Sequence, residues 1–97
     1  MTKTDEIIRK IAQCKPDLEN GFQVKEIGIF GSYVRGEQTK NSDLDILVEF
    51  EEAPGLFKFL ELEERLKTIL KVKVDLVMKN ALKPRIGKRI LSEVVYA

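Results

Sequence analysis

The spacing of apolar residues predicts an amphipathic helix at the start of the chain. Apolar side chains recur at helical intervals in Ile7, Ile8, Ile11 and Cys14. Thr4, followed by Asp5 and Glu6, is typical of a helix start, because a capping side chain and early acids satisfy the free amides there. Pro16 has no amide hydrogen and should break or restart this helix. Asn20-Gly21 should then end it.

An alternation of apolar and polar side chains predicts a strand over residues 43–50. Every second residue is apolar and should point the same way, namely Leu44, Ile46, Val48 and Phe50. The opposite face carries Asp43, Asp45, Leu47 and Glu49. The apolar face should therefore pack on helices, and Asp43 and Asp45 should lie together on the other face.

Two further segments have the composition of strands. Residues 24–30 are largely apolar and lead directly into Gly31-Ser32, a short helical turn over residues 33–36 and a polar loop over residues 37–42. Residues 72–78 place Val72, Val74, Leu76 and Met78 on one face. Asp75 falls on the opposite face with Lys73 and Val77, so a third carboxylate is expected on the polar side.

Two more helices are predicted in the second half of the chain. Residues 56–70 show a core stripe of Phe59, Leu62, Leu66, Ile69 and Leu70. Pro84 suits the first turn of a last helix, and Ile86, Ile90 and Val94 are spaced for its buried face. This order of elements predicts an α/β (α+β) fold in which helices cover one side of a small sheet and the three aspartates occupy the other.

Length and composition narrow the class of protein. The chain has 97 residues, which fits one domain over residues 1–97. Hydrophobic residues make up 43% and charged residues 34%, as in a folded globular protein. The net charge of +1 gives no general attraction to nucleic acid or membrane, so nucleic acid is not expected as the direct substrate. No apolar run approaches the roughly 20 residues of a membrane span.

The content of histidine and cysteine excludes several kinds of active site. The chain has no histidine, which removes Ser-His and Cys-His dyads and the common zinc sites. Its one cysteine, Cys14, cannot form an internal disulfide and falls on the apolar stripe, where a structural thiol is expected. A lone thiol fits a reducing cytoplasm, where we expect the protein to reside.

The aspartates suggest a metal-binding site. Two carboxylates about 4 Å apart repel by up to ~4 kcal/mol at an effective dielectric constant of about 20, and a divalent cation reverses that sign. Mg²⁺ prefers carboxylates, water and phosphate oxygens, and two such ions can bridge the attacking and leaving oxygens of a displacement at phosphorus. Beside Asp43 and Asp45, Asp75 would complete the site and accept the proton of the attacking hydroxyl. Transfer of a nucleotide from ATP by this route needs no histidine.

Gly31-Ser32 suits a bound phosphate. Glycine lets the backbone approach closely, amides that enter a helical turn point at an anion, and the Ser32 hydroxyl adds a donor. Arg35, one turn later, would either pair with a phosphate or hold an acid of the site. A lone Asp-x-Asp or Gly-Ser is common in solvated turns. The interpretation therefore depends on the combination: a strand, Gly-Ser, ten residues, Asp-x-Asp opening a strand, and a single Asp inside a later strand.

A group of basic residues near the end of the chain is less informative. It consists of Lys79, Lys83, Arg85, Lys88 and Arg89. Such a group is more often a solvated face or a partner surface than a set of phosphate contacts. Tyr33 is expected to pack rather than to take part in chemistry.

The central motif resembles that of the polymerase-beta-like nucleotidyltransferase superfamily. Gly31-Ser32, ten residues and Asp43-x-Asp45 match its signature. Phe-Gly-Ser-Tyr-Val-Arg-Gly-Glu followed by Ser-Asp-Leu-Asp-Ile-Leu-Val-Glu-Phe resembles the minimal nucleotidyltransferases, the MNT-type antitoxins. The Leu-Lys-Pro segment and the Ile-x-x-Glu-Val-Val-Tyr tail also resemble family features, so the resemblance covers nearly the whole chain.

The resemblance implies a fold, ligands and residue roles. The fold would be a mixed three-stranded sheet with flanking helices. The ligands would be two Mg²⁺ ions and ATP, with AMP transferred and pyrophosphate released. Gly31 and Ser32 would hold phosphate, Asp43 and Asp45 would bind Mg²⁺, and Asp75 would serve as the third acid, both as ligand and as base.

The resemblance also implies an acceptor. In antitoxin members the acceptor is a tyrosine hydroxyl on a HEPN-type toxin, which the modification silences. Larger relatives carry an extra domain that binds the acceptor, so here another chain should present it. Two alternatives stay open: a catalytically weak module that masks its toxin, and an adenylyltransferase of a small molecule such as an aminoglycoside. Self-association into a homo-oligomer through the polar sheet face is a further hypothesis.

Overall fold

A computed structural model describes residues 2–97. Its helices and strands follow in the order α1 Lys3–Phe22, β1 Val24–Phe30, α2 Ser32–Arg35, β2 Leu44–Phe50, α3 Leu56–Leu70, β3 Val74–Met78, α4 Pro84–Glu93 and β4 Val95–Tyr96. A 3₁₀ turn, Lys79–Ala81, links β3 to α4.

The sheet has four strands in the order β3-β2-β1-β4, so the expectation of three strands was wrong. The pairs β1–β2 and β1–β4 are antiparallel, whereas β2 and β3 are parallel. The added strand, β4, pairs with Gly28 and Ile29 of β1. It is only two residues long, too short to show an alternation in the sequence, and the helical spacing before it suggested that the last helix continued.

The core lies between one face of the sheet and helices α1 and α3. The predicted inward residues of β2 at positions 44, 46 and 48 are fully buried, and Ile27 and Ile29 of β1 pair beside two of them. The α3 stripe is confirmed, with Leu62, Leu66 and Leu70 buried and Phe59 and Ile69 packed at the margin. Two helices thus seal the apolar face, as the alternation predicted.

The first helix begins slightly earlier than predicted. Thr2 is its N-cap and forms a capping box with Asp5, whose backbone amide donates to the threonine hydroxyl at 3.1 Å. The helix ends at Phe22, and Gln23 then adopts a left-handed conformation with φ of 60°. Cys14 is half-buried, and its thiol donates to the Ile11 carbonyl at 3.3 Å, in keeping with a structural thiol.

Pro16 does not interrupt the first helix, contrary to the expectation. A proline in a helix interior costs about 3 kcal/mol. Leu18 and Phe22 lie beyond the proline on the same helix and are 1% and 5% exposed. Burying each of these side chains contributes about 1.5–3 kcal/mol, so the packing of the final turn offsets the cost of the proline.

The second face of the sheet is more buried than predicted. Leu47, assigned to this face with the aspartates, is 1% exposed, and Phe30 is 8% exposed. Helix α4 lies over this side, so the helices do not cover one face alone. Its predicted apolar stripe is only partly right, because Ile86 is 57% exposed while Ile90 is partly buried.

Within residues 2–97, none of the helices combines the length and the apolar character needed to cross a membrane.

Candidate nucleotide-transfer site

The sheet brings two of the predicted acids side by side. In the parallel pair β2–β3, Asp45 is in register with Asp75. Neighbouring strands lie about 4.8 Å apart, and residues in register on adjacent strands present their side chains to the same face. Periodicity along the chain predicted that each acid lies on a polar face. The pairing of β2 with β3 places Asp45 and Asp75 on the same face, directly opposite each other.

The third predicted acid, Asp43, lies just before β2 rather than inside it. The strand begins at Leu44, whose amide donates to the Lys73 carbonyl at 2.8 Å. Asp43 is exposed, Asp45 is half-buried and Asp75 is exposed. The three carboxylates therefore differ in exposure, and Asp45 is the most buried of them.

Asp45 has an unusual acidity that follows from this arrangement. Its pKa is raised from 3.8 to about 6, first by burial and then by the negative charges of Asp75 and Asp43. The Arg35 guanidinium opposes the rise, and Glu93 adds to it. Like charges gathered around a half-buried carboxylate are typical of functional sites.

Gly31 packs directly against Asp45. Phe30, the last residue of β1, pairs with Asp45 across the antiparallel ladder, so the next residue turns beside the carboxylate. The φ angle of Gly31 is +81°, and a Cβ built there would meet the Asp45 Oδ2 atom and lie 3.0 Å from Cγ. Both the left-handed backbone and the lack of space require glycine at this position.

Ser32 opens the short helix α2 and is half-buried. Thr4 anchors this helix, because its hydroxyl donates to the Tyr33 carbonyl at 2.8 Å. Tyr33 is 8% exposed and belongs to the core, which confirms the expectation that it packs. Helix α1 thus fixes the turn that carries Gly31 and Ser32.

Arg35 contacts two acids of the chain. Its Nε atom donates to Glu37 at 2.7 Å, and its Nη1 atom contacts both carboxylate oxygens of Glu93 at 3.1 Å. These two partners raise the pKa of Arg35. The guanidinium lies close enough to the acids to lower the pKa of Asp45.

Glu93 is the site residue that the sequence did not reveal. Its Oε1 atom accepts from the Gly31 amide at 3.2 Å and from Arg35. It is the last residue of α4 and lies 62 positions from Gly31, so no local spacing connects the two. Two signals in the sequence pointed to it: it is the single acid in an otherwise basic helix, and it is the Glu of the Ile-x-x-Glu-Val-Val-Tyr tail.

An open cavity of about 250 Å³ lies between the sheet and α4. Its walls are formed by Phe30, Gly31, Arg35, Asp45, Ile86, Arg89, Ile90 and Glu93. Of the basic group near the end of the chain, Arg89 lines this cavity, whereas Lys79 contacts Glu49 at 3.9 Å. The basic group therefore has separate environments rather than one common surface.

The three acids are the type of ligand that a hard divalent cation prefers, but they do not surround a single metal position. Over residues 2–97, no three or more His, Cys, Asp or Glu side chains are arranged closely enough to hold a metal ion. Carboxylate oxygens are the donors that Mg²⁺ prefers, and Mg²⁺ commonly uses few protein ligands together with substrate phosphates. The mutual repulsion that raises the pKa of Asp45 is the kind of charge excess that such an ion relieves.

Comparison with known proteins gives consistent matches along the chain. A sequence model of the nucleotidyltransferase domain matches residues 8–97. Protein adenylyltransferase MntA of Thermococcus cleftensis is 54% identical over 96 residues, which cover 99% of this chain and 97% of that protein.

Two solved structures share the fold. A candidate minimal nucleotidyltransferase superposes with a TM-score of 0.78 at 33% identity, covering 98% of this chain and 95% of that one. A toxin–antitoxin structure with AMP-PNP superposes with a TM-score of 0.73 at 27% identity, covering 91% of this chain and 69% of that one. The mixed sheet with flanking helices is therefore the nucleotidyltransferase fold.

The resemblance inferred from the central motif is thus confirmed at the level of the whole chain. The family model spans all but the first seven residues, and the alignment with the Thermococcus protein covers 99% of this chain. The chain belongs to the nucleotidyltransferase family and is an enzyme of the nucleotidyltransferase class.

Proposed function

We propose that residues 1–97 form one catalytic domain that transfers AMP from ATP to a tyrosine hydroxyl of a HEPN-type toxin, and so acts as its antitoxin. The observation that carries this proposal is the register of Asp45 with Asp75, beside the Gly31 turn. It is supported by the relative at 54% identity, which is a protein adenylyltransferase, and by the toxin–antitoxin structure with AMP-PNP.

Asp43, Asp45 and Asp75 are the residues that would hold Mg²⁺. The bound ions would neutralise the negative charge on the phosphates and on the attacking oxygen. Asp45 is suited to the shared, inner position because it is half-buried and flanked by the other two acids.

Asp75 is suited to meet the acceptor hydroxyl. It is exposed and lies on β3, an edge strand of the sheet, so a large acceptor can approach it. The hydroxyl oxygen attacks the α-phosphorus of ATP, and its proton passes to the Asp75 carboxylate. The bond from the α-phosphorus to the bridging oxygen breaks as the new bond forms, and pyrophosphate leaves. The product is a phosphodiester between AMP and the acceptor oxygen.

Gly31 and Ser32 are suited to the departing phosphates. The absence of a side chain at Gly31 keeps the turn against Asp45, so the phosphate and the carboxylates can share one small site. The Ser32 side chain is half-buried at the start of α2 and supplies a hydroxyl donor there. Arg35 adds positive charge nearby, although its nearest partners are acids of the chain.

The experiment that tests this proposal is transfer of AMP in the presence of the neighbouring toxin. The purified chain, ATP labelled in its α-phosphate and Mg²⁺ are incubated with the protein encoded by the neighbouring gene, which we expect to be a HEPN-type toxin. Label on the toxin is expected with the wild type and is expected to fall at least about 100-fold with Asp45→Asn or Asp75→Asn. Chelation of Mg²⁺ is expected to stop transfer.

A matched control separates the site from general changes in charge. Glu49→Gln removes one negative charge from the same strand as Asp45, at a residue that contacts Lys79, and should leave labelling within about twofold of the wild type. A Tyr→Phe change at the labelled residue of the toxin should abolish labelling. A stable complex without label would favour the masking module instead, and label on an aminoglycoside but not on the toxin would favour a small-molecule acceptor.

A further inference from the structure

The carboxylate of Glu93 occupies a position between two donors of the site. Its Oε1 atom accepts from the Gly31 amide at 3.2 Å, and both of its oxygens contact Arg35 Nη1 at 3.1 Å. The Glu93 side chain is 19% exposed, so most of it is enclosed by these contacts and by the end of α4. A negatively charged group is thus already seated against the Gly31 turn.

This placement is electrostatically unfavourable for Glu93 in one respect. The nearby Asp45 is also an acid, and the negative charges of the two side chains repel each other. Glu93 is held there by charge-assisted hydrogen bonds, which are about twice as strong as neutral ones. Because the Gly31 amide has a single hydrogen, it cannot donate fully to Glu93 and to a phosphate oxygen at once.

We propose that Glu93 occupies the place of a nucleotide phosphate oxygen at Gly31 and Arg35, and that a nucleoside triphosphate must displace it in order to bind. This inference rests on the proposed function, since it concerns the same nucleotide site. Glu93 would then control nucleotide affinity, whereas the three aspartates would carry out the transfer step.

Displacement of Glu93 needs only a rotation of its side chain. The strand that follows it is fixed independently, because the Ala97 amide donates to the Ile27 carbonyl at 2.9 Å and Lys15 Nζ donates to the Ala97 carbonyl at 3.0 Å. Glu93 lines the open cavity of about 250 Å³, so its side chain is not packed on every side. A change between staggered rotamers can therefore free Gly31 and Arg35 while α4 and β4 stay in place.

A second partner for the displaced carboxylate lies on the same helix. Arg89 precedes Glu93 by four residues, so the two side chains can meet on one helix face. Arg89 lines the cavity, and the ion pairs found in residues 2–97 do not include it. We therefore expect Glu93 to pair with Arg35 when the site is closed and with Arg89 when it is open.

The competition should lower the apparent affinity for nucleotide. When only a fraction of molecules is competent to bind, the apparent dissociation constant rises by the reciprocal of that fraction. If Glu93 leaves the position free in about one molecule in ten, the apparent affinity falls about tenfold.

The test is the binding of Mg·AMP-PNP, measured by calorimetry, to the wild type and to two variants. Glu93→Gln removes the charge, and Glu93→Ala vacates the position altogether. Both are expected to bind the analogue about five- to tenfold more tightly than the wild type. Glu49→Gln, which removes one charge elsewhere on the same side of the sheet, should change the affinity by less than about twofold. Unchanged or weaker binding by the Glu93 variants would overturn the inference, because Glu93 would then be neutral or would support the site.

A measurement on the wild type covers the case in which a variant fails to fold. The side-chain carboxyl carbon of Glu93 is followed by NMR as Mg·AMP-PNP is added. Its resonance should move with the same saturation curve as those of Asp45 and Gly31. A Glu93 signal that stays fixed while Asp45 titrates would overturn the inference and leave the proposed function standing. Absence of any binding by the wild type and by folded Glu93 variants would overturn the proposed function, and this inference with it.

Discussion

At the scale of single residues, Gly31 and Asp45 depend on each other. The carboxylate of Asp45 fills the space that a side chain at position 31 would need. The same contact helps to enclose Asp45, and burial is the largest cause of its raised pKa. One small residue therefore shapes both the turn and the acidity of the central carboxylate.

Gly31→Ala should destabilise the chain and disrupt the site. Its backbone angles, φ of +81° and ψ of −152°, lie in a region almost confined to glycine and cost a residue with a side chain about 1–3 kcal/mol, and the clash with Asp45 adds about 1–2 kcal/mol. We expect a loss of about 3 kcal/mol in the free energy of unfolding, measured by urea denaturation, together with loss of AMP-PNP binding.

Gly36→Ala is a control for a positive φ without a clash. Gly36 also has a left-handed φ, +71°, but a Cβ there meets no atom within 4 Å. Its cost should be the backbone term alone, about 1 kcal/mol. In the Asp45→Ala background the extra cost of Gly31→Ala should largely disappear. Equal losses for the two glycines would contradict the proposed clash.

The raised pKa of Asp45 makes the stability of the chain depend on pH. The folded state holds this proton up to a pKa of about 6, against 3.8 for the ordinary carboxyl, so between these values the folded chain binds more protons than the unfolded chain. The contribution of Asp45 therefore favours folding at low pH and is lost as the pH rises through about 6. The full shift corresponds to about 3 kcal/mol, which solvent screening reduces to about 1 kcal/mol.

Asp45→Asn provides the comparison for this pH dependence. From pH 4 to pH 7 the unfolding free energy of the wild type, relative to the variant, should fall by about 1 kcal/mol. At pH 7, millimolar Mg²⁺ should raise the unfolding temperature of the wild type more than that of Asp45→Asn, because the ion relieves the repulsion among the acids. Parallel pH profiles for the two proteins would contradict the raised pKa.

At the scale of elements, the short strand β4 and the helix before it connect the core to the site. β4 pairs with β1 at Gly28 and Ile29, and Glu93 lies just before this pairing. A Cβ at Gly28 would lie 2.8 Å from the Val95 carbonyl oxygen and 3.0 Å from a methyl group of Val94. The end of α4 is therefore held in place by close backbone contact at Gly28.

Gly28→Ala should loosen this attachment without touching the aspartates. The added methyl group requires β4 to shift, which should cost about 1–2 kcal/mol and increase hydrogen exchange at the amides of Val94 and Ala97. Gly21→Ala is a suitable control, because position 21 lies in α1 with open space around it and should be neutral or slightly stabilising. Unaltered exchange at Ala97 in Gly28→Ala would show that β4 does not depend on this close approach.

At the scale of the whole molecule, sheet order decides where the chemistry can occur. With β2 between β1 and β3, the central strand carries Asp45, one neighbour leads into Gly31 and the other carries Asp75. Apolar residues that do not serve the core are exposed elsewhere, above all Phe57 at 88% and Leu56 at 69%. Self-association of the chain stays a prediction, and its test is the mass in solution by light scattering.

Much of this organisation followed from local patterns. The alternation over residues 43–50 and the stripe over residues 56–70 correctly predicted the faces that pack between the sheet and helices α1 and α3, because burial of a strand or helix has a fixed period. The error at Pro16 has the opposite origin. A local rule was outweighed by the burial of Leu18 and Phe22, whose packing depends on the rest of the fold.

The sequence by itself determined the four helices, three of the four strands, the glycine-serine turn and the family, since these depend on residues close together in the chain. Only the tertiary structure decided that Asp75 lies in register with Asp45, that β4 joins the sheet, and that Glu93 contacts Gly31. These three facts depend on which distant segments pack together. Pairing of distant segments is set by the summed free energy of many contacts, and the acidity of Asp45 follows from that pairing because burial and neighbouring charges exist only once the chain has folded.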